Sequence, residues 1–259
     1  ARTSLENHAD LRLVLVGNSE ELAGHITRIV GKEKRLTIRH STEVVDMSES
    51  PIDALRKKKD SSMRVAINMV KERSAHACVS AGNTGALLVI SRLLLKTIKG
   101  INKPALAALW PNQKDMNVVL DLGANIECNE KNLVDFACMG SALFKSLYLN
   151  ENPKIALLNV GSEEHKGNDI LKKTFSILKK NEIKNFEFCG YIEGNKIMNG
   201  DIDVIVTDGF TGNIALKTAE GTANFIAKNL KKSLNSLSLL FSYRSLKKFK
   251  KKLDPRKYN

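Results

Sequence analysis

Four short segments of this chain combine glycines with amide, hydroxyl and charged side chains. They are Gly82-Asn83-Thr84-Gly85, Asp121-Leu122-Gly123-Ala124-Asn125, Gly161 through Lys166, and Asp208-Gly209-Phe210-Thr211-Gly212-Asn213. Turns of this kind leave backbone N–H groups pointing outward at a helix N-terminus. The helix dipole adds positive potential there, so the turn attracts phosphate or carboxylate. Glycine admits the conformations and the close ligand approach that such turns need. Lys217 follows Asn213 by one helical turn and can lean back toward a bound anion. Asp121, Gly123, Asn125, Gly161, Lys166, Asp208, Gly209, Thr211 and Gly212 would add polar groups and close backbone approach. An ordinary capped strand–helix turn has the same spacing, so each segment admits either role.

Several chemistries are missing. Gly212 to Lys217-Thr218 resembles the tail of a Walker A loop, but Leu216 stands where that loop requires glycine. No GxGxxG run occurs, so a dinucleotide fingerprint is absent. Cys78, Cys128, Cys138 and Cys189 are widely spaced with no CxxC pair, and neither a metal nor a cofactor is expected. Cys128 is a nucleophile or a buried structural thiol, and His165 is a base or an exposed loop histidine. The run Arg56–Lys59 is a solvated helix end or a reach toward phosphate.

The elements that would position these residues follow one grammar. Apolar runs at 77–80, 118–122, 155–160 and 204–207 each precede one of the polar turns, and a helix-like pattern comes after. Strands alternating with helices imply parallel βαβ units, which would gather all four turns at one sheet edge. Open α/β sheets bind ligands at that edge. Further strands are expected over 11–17, 36–40, 105–109 and 186–191. Helices are expected over 20–30, from Ser50-Pro51, from Ser61 or Ser62, and over 84–95, 131–149, 168–180 and 212–232. Ile226, Leu230, Leu234, Leu237 and Phe241, then Leu246, Phe249 and Leu253, recur at helical spacing. They predict a protruding amphipathic helical hairpin over 225–253. It would follow an α/β body at 1–224 and precede a short return segment at 254–259.

The chain has 259 residues and 42% hydrophobic content, enough for one large domain or a domain with an appendage. Residues 228–259 hold eleven basic side chains against one acid, Asp254, so most of the +13 formal charge sits at that end. An anionic membrane, an acidic protein or a dimer seam would suit this tail. Its apolar stripe suits a membrane or a dimer better than a nucleic acid, which would call for interleaved exposed aromatics, so a nucleic-acid partner is not expected. Nothing resembles a signal peptide, and no apolar run of about 20 residues could cross a bilayer. A reduced cytoplasmic location is the expectation.

Taken together, the segments 61–66 (SSMRVA), 80–86 (SAGNTGA), 121–125 (DLGAN) and 208–213 (DGFTGN) resemble the bacterial phosphate acyltransferase (PlsX) family. So do Asn159-Val160-Gly161 with Glu163-Glu164 and Lys166-Gly167-Asn168, and Leu253-Asp254-Pro255 with Tyr258. Their order and spacing match over most of the chain, although the family pattern extends beyond both ends of it. The resemblance implies an isocitrate/isopropylmalate dehydrogenase-like α/β fold. It implies transfer of an acyl group from acyl-[acyl carrier protein] to inorganic phosphate, for phospholipid synthesis. It also implies a cytoplasmic homodimer associated peripherally with the membrane and with a downstream membrane acyltransferase. Phosphate would itself be the nucleophile. Amides of Asn83-Thr84-Gly85 and Gly212-Asn213 would hold phosphate or the oxyanion. Lys217 would neutralise one of the two, and the Asn83 and Asn213 side chains would donate hydrogen bonds. The acidic carrier would dock on the basic tail or on Arg56–Lys59. Two alternatives stand beside this reading: a phosphate acetyl- or butyryltransferase using coenzyme A thioesters, and a non-catalytic basic protein binding nucleic acid or membrane.

Overall fold

A computed structural model describes residues 1–29, 33–148, 152–180 and 185–233 of the chain. It divides into two compact units, Ala1–Lys99 and Gly100–Asn259. The stretch 234–259, which holds most of the expected hairpin, lies outside the described residues.

The first unit contains α1 (Arg2–Asn7), β1 (Leu13–Gly17), α2 (Ser19–Ile29), β2 (Leu36–His40), α3 (Pro51–Lys57), α4 (Ser62–Lys71) and α5 (Thr84–Leu95). β1 and β2 pair in parallel, Leu13 with Leu36 through Gly17 with His40. Val45, Ala54, Met63, Ile67, Ala86 and Ile90 form its core beside them, at the positions where the helices' apolar stripes meet. α3 begins where the sequence predicts, because Pro51 presets a helical φ and its missing N–H would be unpaired at a first helical position anyway. One expectation fails here. Residues 77–80 form no strand; they join no ladder among the described residues, and Val79 is 97% exposed. Short apolar runs do not distinguish a strand from an irregular segment when no neighbour supplies a ladder.

The second unit is a five-stranded sheet covered on both faces. Its elements are β3 (Ala107–Pro111), β4 (Met116–Leu120), α6 (Glu130–Tyr148), β5 (Lys154–Asn159), α7 (Asp169–Lys180), β6 (Glu187–Glu193), a 3-10 turn (Gly194–Asn199), β7 (Val204–Val206) and α8 (Gly209–Ser233). The strand order is β3-β4-β7-β5-β6, with every pair parallel except β3 with β4. Val118, Leu120, Ile155, Leu157, Val204 and Val206 turn to a core shared with Leu133, Phe136 and Phe144 of α6. Val119, Ala156, Leu158 and Ile205 turn to the opposite core, against which Ala215, Leu216 and Ala219 of α8 pack. Burial on alternate sides explains why these strands read as continuous apolar runs. Each fully buried Val, Leu or Ile contributes about 1.5–3 kcal/mol of transfer free energy. The fold class is therefore α/β, a mostly parallel sheet flanked by helices. Among the described residues no helix is long and apolar enough to cross a membrane.

Candidate active site

Three of the four polar turns share one edge of the second unit's sheet. β4, β7 and β5 are adjacent and parallel, so their carboxyl ends, and the turns at 121–125, 208–212 and 161–166, lie side by side with the β7 turn in the middle. The β4 and β7 ends are laced together. Asp121 N–H donates to Thr207 O (3.0 Å), Thr207 N–H to Leu120 O (2.8 Å), and Gly209 N–H to Asn125 O (2.8 Å). The Leu120–Asp121 peptide is cis.

Asp121 is fully buried, and its carboxylate is occupied by the protein itself. Oδ1 accepts from the backbone N–H groups of Leu106 (3.0 Å), Gly123 (3.2 Å) and Ala124 (2.9 Å). Oδ2 accepts from the Asn125 N–H (2.8 Å) and the Asn125 side-chain amide (2.7 Å). This residue shapes the turn, and no part of it faces solvent. Asn125 is tied as well, donating to Pro104 O at 2.7 Å. Gly123 takes a φ of +130°, and a methyl group placed there would lie 3.5 Å from the Asn213 side chain. Asn213 therefore sits against the Asp121 turn.

α8 begins at Gly209, three residues before the start read from sequence, because Asp208 caps it. Its carboxylate accepts from the Thr211 N–H (2.8 Å) and the Thr211 hydroxyl (2.9 Å). The Gly212 N–H donates to Asp208 O at 2.9 Å and lies inside the helix. Gly212 permits close contact: a methyl group would overlap the Asp121 carbonyl oxygen. One on Gly209 would approach Asn125 O at 2.6 Å. Lys217 is exposed, one turn past Asn213, and its ammonium pairs with Glu220 at 2.8 Å.

On the β5 turn, Asn159 donates to Gly161 O (3.1 Å), and its buried Oδ1 has no partner among the described residues. Gly161 is buried, packed against the side chains of Glu163 and Lys166, and the Lys166 side chain is exposed. His165 is exposed too. Asn159 stands above only within the family resemblance and not among the site candidates, although a polar residue inside an apolar run is a readable signal. Gly17-Asn18-Ser19 after β1 repeats the same grammar and was also passed over. There Asn18 Oδ1 caps the Glu20 N–H at 2.9 Å, and the Ser19 N–H donates to His40 Nδ1 at 3.2 Å.

The fourth turn belongs to the first unit. Asn83 is the N-cap of α5, its Oδ1 accepting from the Ala86 N–H at 3.0 Å. Its Nδ2 reaches Glu49 O (2.8 Å), Asp46 O and Met47 O (both 3.2 Å). The Gly82 N–H donates to Ser80 Oγ (3.2 Å), a methyl on Gly85 would meet Pro51 Cγ at 2.8 Å, and Thr84 is exposed. The Asn83 carboxamide thus pins residues 46–49 to α5. Asn83→Ala should destabilise the chain by about 2–3 kcal/mol, from a lost cap and stranded carbonyls. Urea unfolding followed by circular dichroism checks this. An unmoved midpoint with reduced turnover would show that Asn83 acts on substrate alone.

The thiols offer no activated nucleophile. Burial pushes Cys78, Cys128, Cys138 and Cys189 above the ordinary thiol range, with the Asp121 charge adding to the effect at Cys128. Among the described residues no group of three or more His, Cys, Asp or Glu side chains could hold a metal ion.

The α/β fold is one shared with solved phosphotransacylases. EutD phosphotransacetylase from Staphylococcus aureus superposes with a TM-score of 0.60 at 15% identity, covering 86% of this chain and 78% of that one. A branched-chain phosphotransacylase from Enterococcus faecalis V583 gives 0.51 at 14%, covering 80% and 84%. At such identities the likeness is one of fold. Sequence goes further. The pattern of the family described as fatty acid synthesis protein matches residues 1–259. The phosphate acyltransferase of Pelagibacter ubique (strain HTCC1062) is 54% identical over 250 residues, 95% of this chain and 74% of that protein. The phosphate acyltransferase of Chromobacterium violaceum is 49% identical over 261 residues, 98% and 75%. The chain belongs to the fatty acid synthesis protein family, and these relatives are enzymes.

Proposed function

We propose that the chain transfers an acyl group from acyl-[acyl carrier protein] to inorganic phosphate, yielding acyl phosphate and free carrier for phospholipid synthesis. A phosphate oxygen attacks the thioester carbon, the C–S bond breaks, and the thiolate leaves with the proton that phosphate gives up. The carrying observation is the sheet edge itself. It gathers carboxamides and glycine turns, α8 with Lys217 on it starts there, and the neighbouring thiol, Cys128, is pushed up rather than activated. A site that must bind its nucleophile needs this and no nucleophilic side chain. Asn213, held against Gly123, and Lys217 on the same helix are assigned to phosphate or to the developing oxyanion. Gly161 and Lys166 complete the edge, while Asp121, Gly123, Asn125, Asp208, Gly209, Thr211 and Gly212 build and close it. Asn83, with Gly82, Thr84 and Gly85 of its turn, is assigned to anion binding in the first unit.

The enzyme works as a cytoplasmic homodimer held at the membrane surface by its basic C-terminal residues, beside the acyltransferase that consumes its product. The body at 1–224 is assigned to the isocitrate/isopropylmalate dehydrogenase-like group. A second reading, transfer from a coenzyme A thioester, draws on the fold likeness to phosphotransacetylase. The two separate in one assay. kcat/KM for acyl-carrier protein should exceed that for the matching acyl-coenzyme A by at least about tenfold, since extra protein contacts are used only by the former. Equal values would favour the second reading.

A further inference from the structure

An acidic carrier needs a basic landing face near the sheet edge, and the structure separates the candidates. In the run Arg56–Lys59 the two middle cations are held by neighbouring acids. Lys57 pairs with Asp53 (2.8 Å), and Lys58 pairs with Glu49 (3.0 Å) and also donates to Val44 O. The stretch 234–259 lies outside the described residues.

α7 differs. Leu171, Thr174, Phe175 and Leu178 turn toward the sheet, which leaves Ile170, Lys172, Lys173, Ser176, Ile177 and Lys179 exposed. Ile170 and Ile177 are 37% and 40% exposed, an apolar seam between lysines. Lys179 pairs with Glu164, whereas Lys172 and Lys173 have no carboxylate partner among the described residues. A surface depression of about 390 Å³ opens between α7 and the first turn of α6, lined by Lys172, Lys173, Ser176, Ile177 and Glu130. Glu130 is the one acid there, and the α6 N-terminus on which it sits offsets its charge. The helix also starts at the site. Asn168 Oδ1 caps the Leu171 N–H at 2.9 Å, immediately after the Gly161–Lys166 turn.

We infer that the exposed face of α7, centred on Lys172, Lys173, Ile170 and Ile177, docks the carrier protein. This rests on the acyl-carrier reading above. An acidic helix lies along α7, its carboxylates meet the lysines, an apolar side chain enters beside Ile177, and the thioester arm reaches the adjacent sheet edge. Charges at the rim of such a contact act through encounter rate and weaken with salt, so the face governs KM rather than kcat.

The test is the double variant K172E/K173E, assayed with acyl-carrier protein and with acyl-pantetheine, which lacks the protein. Neither lysine belongs to the proposed machinery. The KM for acyl-carrier protein should rise about tenfold at low ionic strength, with kcat little changed. The KM values for acyl-pantetheine and phosphate should stay at wild-type level, which also shows that the variant is folded. Raising salt should increase the wild-type KM for acyl-carrier protein and leave the variant's nearly flat. An unchanged KM for acyl-carrier protein overturns the docking face. So does an equal loss with acyl-pantetheine, a matching loss confined to R56E/K59E, or lost binding to anionic vesicles with carrier KM intact. The acyl-carrier reading fails separately, and takes this face with it, if wild-type enzyme uses acyl-coenzyme A as efficiently as acyl-carrier protein.

Discussion

Lys217→Met should lower kcat/KM for acyl-phosphate formation by about 100-fold, the scale of losing one well-placed donor to a developing charge. The proposed reaction brings a phosphate dianion against a thioester carbonyl, and negative charge accumulates on the carbonyl oxygen as the bond forms. The backbone amides nearest α8 do not meet that demand alone. Gly209, Thr211 and Gly212 already donate to Asn125 O, Asp208 Oδ1 and Asp208 O. Lys217 is the cation one turn from Asn213, and its present partner, Glu220, is an exposed residue on the same helix. An exposed pair of this kind is worth about 0.2–1 kcal/mol, so exchanging it for phosphate is easy. For the same reason the variant should unfold at nearly the wild-type midpoint. Lys217→Arg keeps the charge and should fall less than the Met variant. Turnover and phosphate KM both unchanged in Lys217→Met would sink the role.

The sheet was legible because burial on both faces leaves an unmistakable trace. Val118–Leu120, Ile155–Leu158 and Val204–Val206 are apolar at every position, and each became a strand. Direction was not legible. β3 runs antiparallel to β4, since a five-residue apolar run carries no mark of its neighbour's orientation. Ala77–Ser80 is as short as the true strands but holds a single β-branched residue and ends in serine, and it joins no ladder among the described residues. At the site, the turns were readable and their internal wiring was not. Gly212 read as a helix start with free amides, yet Asp208 moves the start back to Gly209 because an acidic N-cap satisfies the Thr211 N–H. Asn83 read as a donor toward substrate, and its amide is engaged by the carbonyls of residues 46–49, some 35 positions upstream. Spacing reveals which groups a turn offers. Whether the rest of the chain reaches them first is a matter of tertiary contact.

Asp121 carries that point furthest, and its replacement should have the largest effect on stability. A carboxylate with no solvent exposure and no cationic partner among the described residues persists because five N–H donors surround it, four from backbone and one from Asn125. Asp121→Ala removes every acceptor at once and strands those donors in a dry turn. The expected cost is about 4–5 kcal/mol, which for a chain of ordinary marginal stability approaches loss of folding. Asp121→Asn keeps the shape but puts an NH2 where Oδ2 stood, facing the Asn125 N–H and Nδ2, and should cost about 3 kcal/mol. The milder variant decides between two roles. If Asp121 acts by holding the turn, Asp121→Asn lowers the urea midpoint, and turnover falls because Gly123 no longer supports Asn213, while protein that remains folded keeps a near-normal phosphate KM. If the carboxylate instead meets substrate, the midpoint stays put and phosphate KM moves alone. Repulsion between two anions favours the first outcome, since an acidic group at the centre of a phosphate site would oppose the ligand unless its charge were already bound elsewhere.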